Sequence, residues 1–419
     1  MNYLTRKQNK LIERVSITSI ATLWLSNTID PLGFIGIKYL SMFLLFLGFI
    51  VAAFCSFERL SRFEKIFFLF FVAYIPFYGL IRMLIASNGN IFRFNDTSYV
   101  ISSFFYIFTI LIFSEKIYKY NVRFMNISLY CLSVLTCVLY IVPIVGLQLN
   151  DVVMFLQKSG LVYISTRTYG GVTTPYIYFI ISPMLIMLLS KSVWDFLNRK
   201  SVINLYLITF ILFSLLLSGT RMNLIMAFMS IAITYVYYRS HKLTRSSIFT
   251  FTILAFSFLL LSAFLYYNFN DYVNSALSMN DVSNSKKIND LFLMSEIFNQ
   301  PSVLLFGQGF NAYDWSPLTR ELIDVDATKI ELTLFEFIRV FGLLNTLIFA
   351  ALIVFSLFKK NLFFHELGWC KPALVSYLLV SFFNPYFFSL NGMLVFGTCL
   401  SPIFLSESLK EHNIKYGQK

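Results

Sequence analysis

Runs of roughly 20 apolar residues recur along this chain, each closed by a short polar or basic segment, and that repetition limits the fold more than any single motif. A helix of about 20 residues crosses the ~30 Å hydrocarbon core of a bilayer. Hydrocarbon offers no partners for backbone N–H and C=O groups, so such runs are read as helices. Charged residues make up only 13% of the chain and hydrophobic ones 58%. Soluble domains carry about 25% and 45–50%, so a soluble core is excluded.

The runs fall near 15–29, 36–57, 66–85, 97–114, 124–147, 172–190, 202–217, 218–238, 247–267, 330–357, 372–388 and 392–405. The expected fold is an all-α polytopic membrane protein with about 12 transmembrane helices and a single domain over 1–419. Asp30-Pro31-Leu32 follows the first run where a cleaved signal would end in small residues, so that run is expected to stay. Polar loops are expected at Gln148 to Gly171, at Glu115 to Arg123 and at Lys191 to Lys200.

Twelve spans put both termini on one side, and lysine and arginine choose the side. The side of the N-terminus takes 22 of the 33 basic residues, including Arg6, Arg14, Arg62, Lys65, Lys116, Arg199, Lys200, Lys359 and Lys371. Both termini are therefore expected in the cytoplasm. The long polar segment 268–328 is then an outer, periplasmic loop. Within it, Ile288, Leu291, Phe292 and Phe298 fit a short amphipathic helix lying on the membrane. The topology accounts for most of the net charge of +12, and the basic residues are scattered over short loops, which excludes a nucleic-acid face. Cys55, Cys131, Cys137, Cys370 and Cys399 show neither metal-ligand spacing nor a pair placed for an outer disulfide.

Sorting by side narrows the chemistry. His241, His365 and His412 all fall inside, so an outer-face base must be a carboxylate or another group. Arg82, Arg93, Arg167, Arg221, Arg320 and Arg339 fall outside or within spans. A charge at membrane depth is costly and marks a functional position unless it snorkels or pairs. Arginine suits phosphate because its planar fork donates two hydrogen bonds to one group. Glu331 stands at the start of the tenth run, as a helix-start acid or as a base. Glu336 lies three residues before Arg339, on the same helical face, where pairing between them competes with a substrate role. Gly307 and Gly309 flank Gln308 and suit either a plain turn or a close backbone approach to a ligand. Asp324-Val325-Asp326 and Asp30 are solvated acids or, less specifically, metal or catalytic acids of a sugar transferase.

Taken in order, Arg167-x-x-Gly170-Gly171 with Pro175, Ser218-Gly219-Thr220-Arg221, Gly307-Gln308-Gly309, Glu331 before Gly342-Leu343-Leu344, and Asn384-Pro385 resemble the bacterial O-antigen polymerase (Wzy-type) and O-antigen ligase superfamily. The resemblance covers Arg167 to Leu344 and the Asn384-Pro385 end. It implies a glycosyltransferase C-like fold in the bacterial inner membrane. Donor and acceptor would be oligosaccharides on undecaprenyl diphosphate, with a chain-length regulator as a compatible partner and no cofactor or metal. Arg221 and Arg167, with Arg339 or Arg82, would hold the diphosphate, and Glu331 would be the base. Ligases usually carry histidine at the Glu331 position, a departure that favours the polymerase. A ligase, or a flippase or other transporter of lipid-linked oligosaccharide, is the alternative; no internal repeat of the transporter kind is seen.

Overall fold

A computed structural model describes residues 6–29, 36–41, 43–44, 47, 62–87, 101, 104, 115–144, 154, 156–158, 161–169, 172–240, 282–312, 332–359, 364–382 and 389–415. The fourth and ninth runs lie almost wholly outside these ranges. The described chain is mostly helical: α1 Arg6–Ile29, α2 Arg62–Ala86, α3 Glu115–Ile144, α4 Leu185–Arg199, α5 Val202–Leu217, α6 Arg221–Ser240, α7 Val282–Phe298, α8 Pro301–Phe306, α9 Thr333–Phe358, α10 Cys370–Phe382 and α11 Leu390–Lys415. Among the described residues, three helices are long and apolar enough to cross a membrane: α2, the Lys116–Ile141 part of α3, and α9. Helix α5, helix α10 and the Asn391–Phe404 part of α11 are apolar but shorter.

The helices begin and end where hydrogen bonding lets them, not where apolarity stops. Helix α3 starts at Glu115 and α4 runs on to Arg199, so the polar loops expected at Glu115 to Arg123 and Lys191 to Lys200 are instead helical. Glu, Lys and Arg are good helix formers, and their charged ends reach water from an extended turn. Lys200 ends α4 in the left-handed region (φ 48). Helix α2 carries a π-helical stretch, Leu69–Tyr74, ahead of Pro76.

Among the described residues, the all-α expectation fails at one place. Val162–Tyr169 (β1) and Val172–Phe179 (β2) form an antiparallel hairpin, where a polar loop and the start of a sixth span were expected. The register pairs Tyr169 with Val172, leaving two residues between the strands. Both runs are rich in β-branched and aromatic residues, and Pro175 breaks a helix but is tolerated in an edge strand. The helix of that span starts only at Leu185, after a 3-10 turn at Ser182–Met184.

Pairwise contacts fix how the helices run. Helices α1 and α3 are parallel, with Glu13 paired to Lys116 at one end and Trp24 Nε1 donating to Asn121 Oδ1 (2.7 Å) further along. Helix α2 runs against α11, Phe71 meeting Phe396 (5.4 Å) and Phe63 meeting Phe404 (6.2 Å). Helix α2 also runs against α9, Phe71 meeting Phe349 (5.1 Å). The start of α10 caps the close of α9, because Lys371 Nζ donates to Leu357 O (2.6 Å) and to Lys359 O. Lys359 in turn lies 3.7 Å over the Phe63 ring, and Tyr118 OH lies 3.2 Å from Cys370 Sγ. One end therefore gathers the starts of α2, α3 and α10 and the close of α9. The opposite end holds the close of α2 and the start of α9. The close of α6 lies near Cys370 at the first end, so the start of α6, the Gly219 turn before it and Tyr176 of the hairpin against that turn lie at the opposite end too.

Candidate functional site

The opposite end is built around a break in α9. Gly342 leaves helical geometry (φ 81, ψ 161), which would orphan the carbonyls before it. The loop after α8 satisfies them. Gln308 N donates to Arg339 O (2.6 Å) and Gly309 N to Val340 O (3.0 Å). The same loop is held from its other side by α2. Arg82 Nε and Nη2 both donate to Gly307 O (3.2 and 2.9 Å), Tyr78 OH donates to Phe306 O (2.8 Å), and Phe310 N donates to Gly79 O (3.4 Å). Gly307, Gly309 and Gly342 each require glycine here. A Cβ at Gly307 (φ 74) would lie 2.5 Å from Val340 O, one at Gly309 (φ 85) 2.3 Å from Met83 N, and one at Gly342 2.3 Å from Leu305 O.

Glu336 and Arg339 sit one turn before that break. Arg339 Nε donates to Glu336 Oε2 (2.8 Å) and Nη2 to Oε1 (2.6 Å), a two-pronged pair. Glu336 is 5% exposed and Arg339 1%. One guanidinium thus engages both oxygens of the Glu336 carboxylate.

The structure therefore brings together Arg82, Gly307, Gly309, Glu336 and Arg339. Arg82 and Arg339, read from sequence as possible diphosphate ligands, are engaged by a carbonyl and a carboxylate of the protein. Arg167 and Arg221 share the same end at the level of the backbone. Arg167 pairs with Thr174 in the hairpin, and Arg221 opens α6 after the Gly219 turn, which lies against Tyr176 of β2. Glu331, Arg320, Asp324, Asp326 and Asp30 lie outside the described residues. In α7, Met294 and Ile297 are buried against Leu332 with Phe298 packed beside them, while Leu291 and Phe292 stay exposed.

One polar pair escaped the sequence reading. Lys38 is fully buried and its Nζ donates to Asn391 Oδ1 (3.0 Å), linking the second apolar run to α11. The signal was a lysine just inside an apolar run, which carries the same weight as an intramembrane arginine. No protein-family model matches this chain, and no curated protein and no solved structure matches it.

Proposed function

We propose that the protein is an O-antigen-type repeat-unit polymerase of the bacterial inner membrane, with about twelve spans, both termini cytoplasmic and 268–328 periplasmic. The reading is supported by the ordered motifs from Arg167 to Leu344. The observation that carries it is their gathering at one end of the helix bundle: the hairpin with Arg167, the turn before Arg221, and the Gly307–Gly309 loop against α2 and α9.

In this reading a hydroxyl of an incoming lipid-linked repeat attacks the anomeric carbon of the growing glycan. Glu331 takes the hydroxyl proton as the new C–O bond forms and the bond to the diphosphate breaks. Arg221 and Arg167 meet the negative charge on the leaving diphosphate, as preorganised donors do best in a site shielded from water. Arg82 and Arg339 shape the site through Gly307 O and Glu336. Glu336 is committed to Arg339, so the base assignment rests on Glu331.

The test is the surface polysaccharide of a strain lacking the gene. Single repeats on the lipid A core are expected. Full-length polymer left on its lipid carrier would point to a ligase instead, and repeats trapped inside the cell would point to a flippase; either would overturn the polymerase reading.

A further inference from the structure

Helix α2 carries a depth scale in its exposed apolar residues. Ile66, Leu69, Phe77, Ile81 and Ile85 are all exposed. From Ile66 to Ile85 the rise is about 28 Å at 1.5 Å per residue, close to the ~30 Å of a hydrocarbon core. Gly79 lies about 9 Å inward from Ile85 on that scale. Helix α9 gives the same depth independently. Leu334 is exposed in its first turn, and Val340 lies about 9 Å further in, ahead of the break at Gly342. The loop after α8 meets both positions, because Gly309 N donates to Val340 O and Phe310 N to Gly79 O.

The chain goes down to that depth and comes back. Phe298 stacks on Phe335 (6.3 Å) near the start of α9. Helix α8 then leads inward, so that Leu305 O lies against Gly342, two helical turns deeper. By Leu332 the chain is again beside Met294 and Ile297 of α7. Non-helical backbone at membrane depth is tolerated only where the protein supplies its hydrogen-bond partners or a cavity brings water to it. Here the protein supplies them residue by residue. The N–H groups of Gly307, Gln308, Gly309 and Phe310 donate to the carbonyls of Val303, Arg339, Val340 and Gly79. Phe306 O accepts from Tyr78, and Gly307 O from Arg82. Residues 307–312 are buried, whereas Leu305 and Phe306 are exposed at the level of the exposed Phe77 and Ile81 of α2.

We propose that 301–312 is a re-entrant element: it enters the leaflet at the start of α9, sets Leu305 and Phe306 against the acyl chains, and turns back about 9 Å below the apolar edge. Gln308 N bonds to Arg339 O, so the element also walls the Glu336–Arg339 turn off from lipid. The inference rests on α2 and α9 as spans and makes no use of the transferase reading.

The experiment uses the full chain in nanodiscs of phosphatidylethanolamine and phosphatidylglycerol. Single cysteines replace Leu305, Phe306, Ile81 or Ser240 in a background without the native ones, and each carries a nitroxide spin label. Collisions with oxygen, which concentrates in hydrocarbon, and with a water-soluble nickel complex are measured at each site. Leu305→Cys and Phe306→Cys should match Ile81→Cys, with an oxygen-to-nickel ratio several-fold above that of Ser240→Cys at the close of α6. Both replaced side chains are exposed, and each variant is checked by elution as a single species, so one intact variant suffices for the test. Ratios at Leu305 and Phe306 equal to that at Ser240 would mean an aqueous loop and overturn the proposal. Low collision rates with both reagents would mean cover by protein and overturn it as well. None of these readings depends on sugar transfer, so the polymerase reading stands or falls separately.

Discussion

Glu331 and Glu336 stand five residues apart in the chain, and different losses are expected from them. Glu336 is held on both oxygens by Arg339 inside the protein. Removing one partner of a buried pair leaves a charge unpaired and costs ~3–5 kcal/mol, whereas replacing both with apolar groups is often neutral. Glu336→Leu and Arg339→Met should each lower the thermal midpoint in detergent sharply, and the double variant should recover part of the loss. Additive losses in the double variant would show that the two side chains are not coupled. Glu331→Gln should leave insertion and stability unchanged and slow polymer extension by ~10²–10⁴-fold, the usual contribution of a general base. Polymer length on a gel reads this directly; long polymer from Glu331→Gln would remove the assignment. The Glu336–Arg339 pair was legible in sequence because three residues on a helix set it. The bond between Lys38 and Asn391 was not, because it joins residues 353 positions apart.

At the scale of elements, the loop after α8 is a backbone patch for a broken helix. Its N–H groups take the place of helix hydrogen bonds at Arg339 and Val340, and α2 closes over it through Gly79 and Arg82. The sequence showed only Gly-Gln-Gly, which equally suits a plain turn. What gives it a role is a second glycine-dependent break more than thirty residues later, and spacing does not reveal that the two meet. Gly309→Ala should therefore cost more than its backbone conformation alone, which is worth ~1–2 kcal/mol at a left-handed position. Gly36 is the internal reference: its φ of 82 is similar, but a Cβ there would meet nothing within 4 Å. Gly36→Ala should lose only the conformational part, and Gly309→Ala clearly more, measured as thermal midpoints side by side. Equal losses would mean that the loop simply shifts away from Met83. The hairpin teaches the converse lesson. Two β-branched and aromatic runs separated by Gly170-Gly171 are a recognised strand signal. Counting apolar residues absorbed the second run into a span, because apolarity does not distinguish a buried strand from a helix.

Among the described residues, several charges group by contact as the linear order groups them. Lys116 and Lys359, assigned to the cytoplasmic side by counting alone, lie at the end where α2, α3 and α10 start, and Lys371 caps α9 there. Arg82 and Arg339 lie at the other end, as do the backbone positions of Arg167 and Arg221. Two independent groupings, one from sequence order and one from contacts, thus divide these residues alike. In the proposed topology the positive-inside rule would put the Lys116, Lys359 and Lys371 end in the cytoplasm. Single cysteines in a background without the native ones provide the measurement. Ser165→Cys on β1 and Ser283→Cys on α7 should react with a membrane-impermeant thiol reagent in cells whose outer membrane has been permeabilised. Ser240→Cys at the close of α6 and Ser408→Cys on α11 should react only after the inner membrane is opened. Ser165 and Ser240 are both exposed, so a silent site reports sidedness and not burial. Labelling of Ser240→Cys and Ser408→Cys with the inner membrane intact would invert the topology. The hairpin, the Gly307–Gly309 loop and Glu331 would then face the cytoplasm, away from a periplasmic acceptor, and the polymerase reading would fall with the orientation.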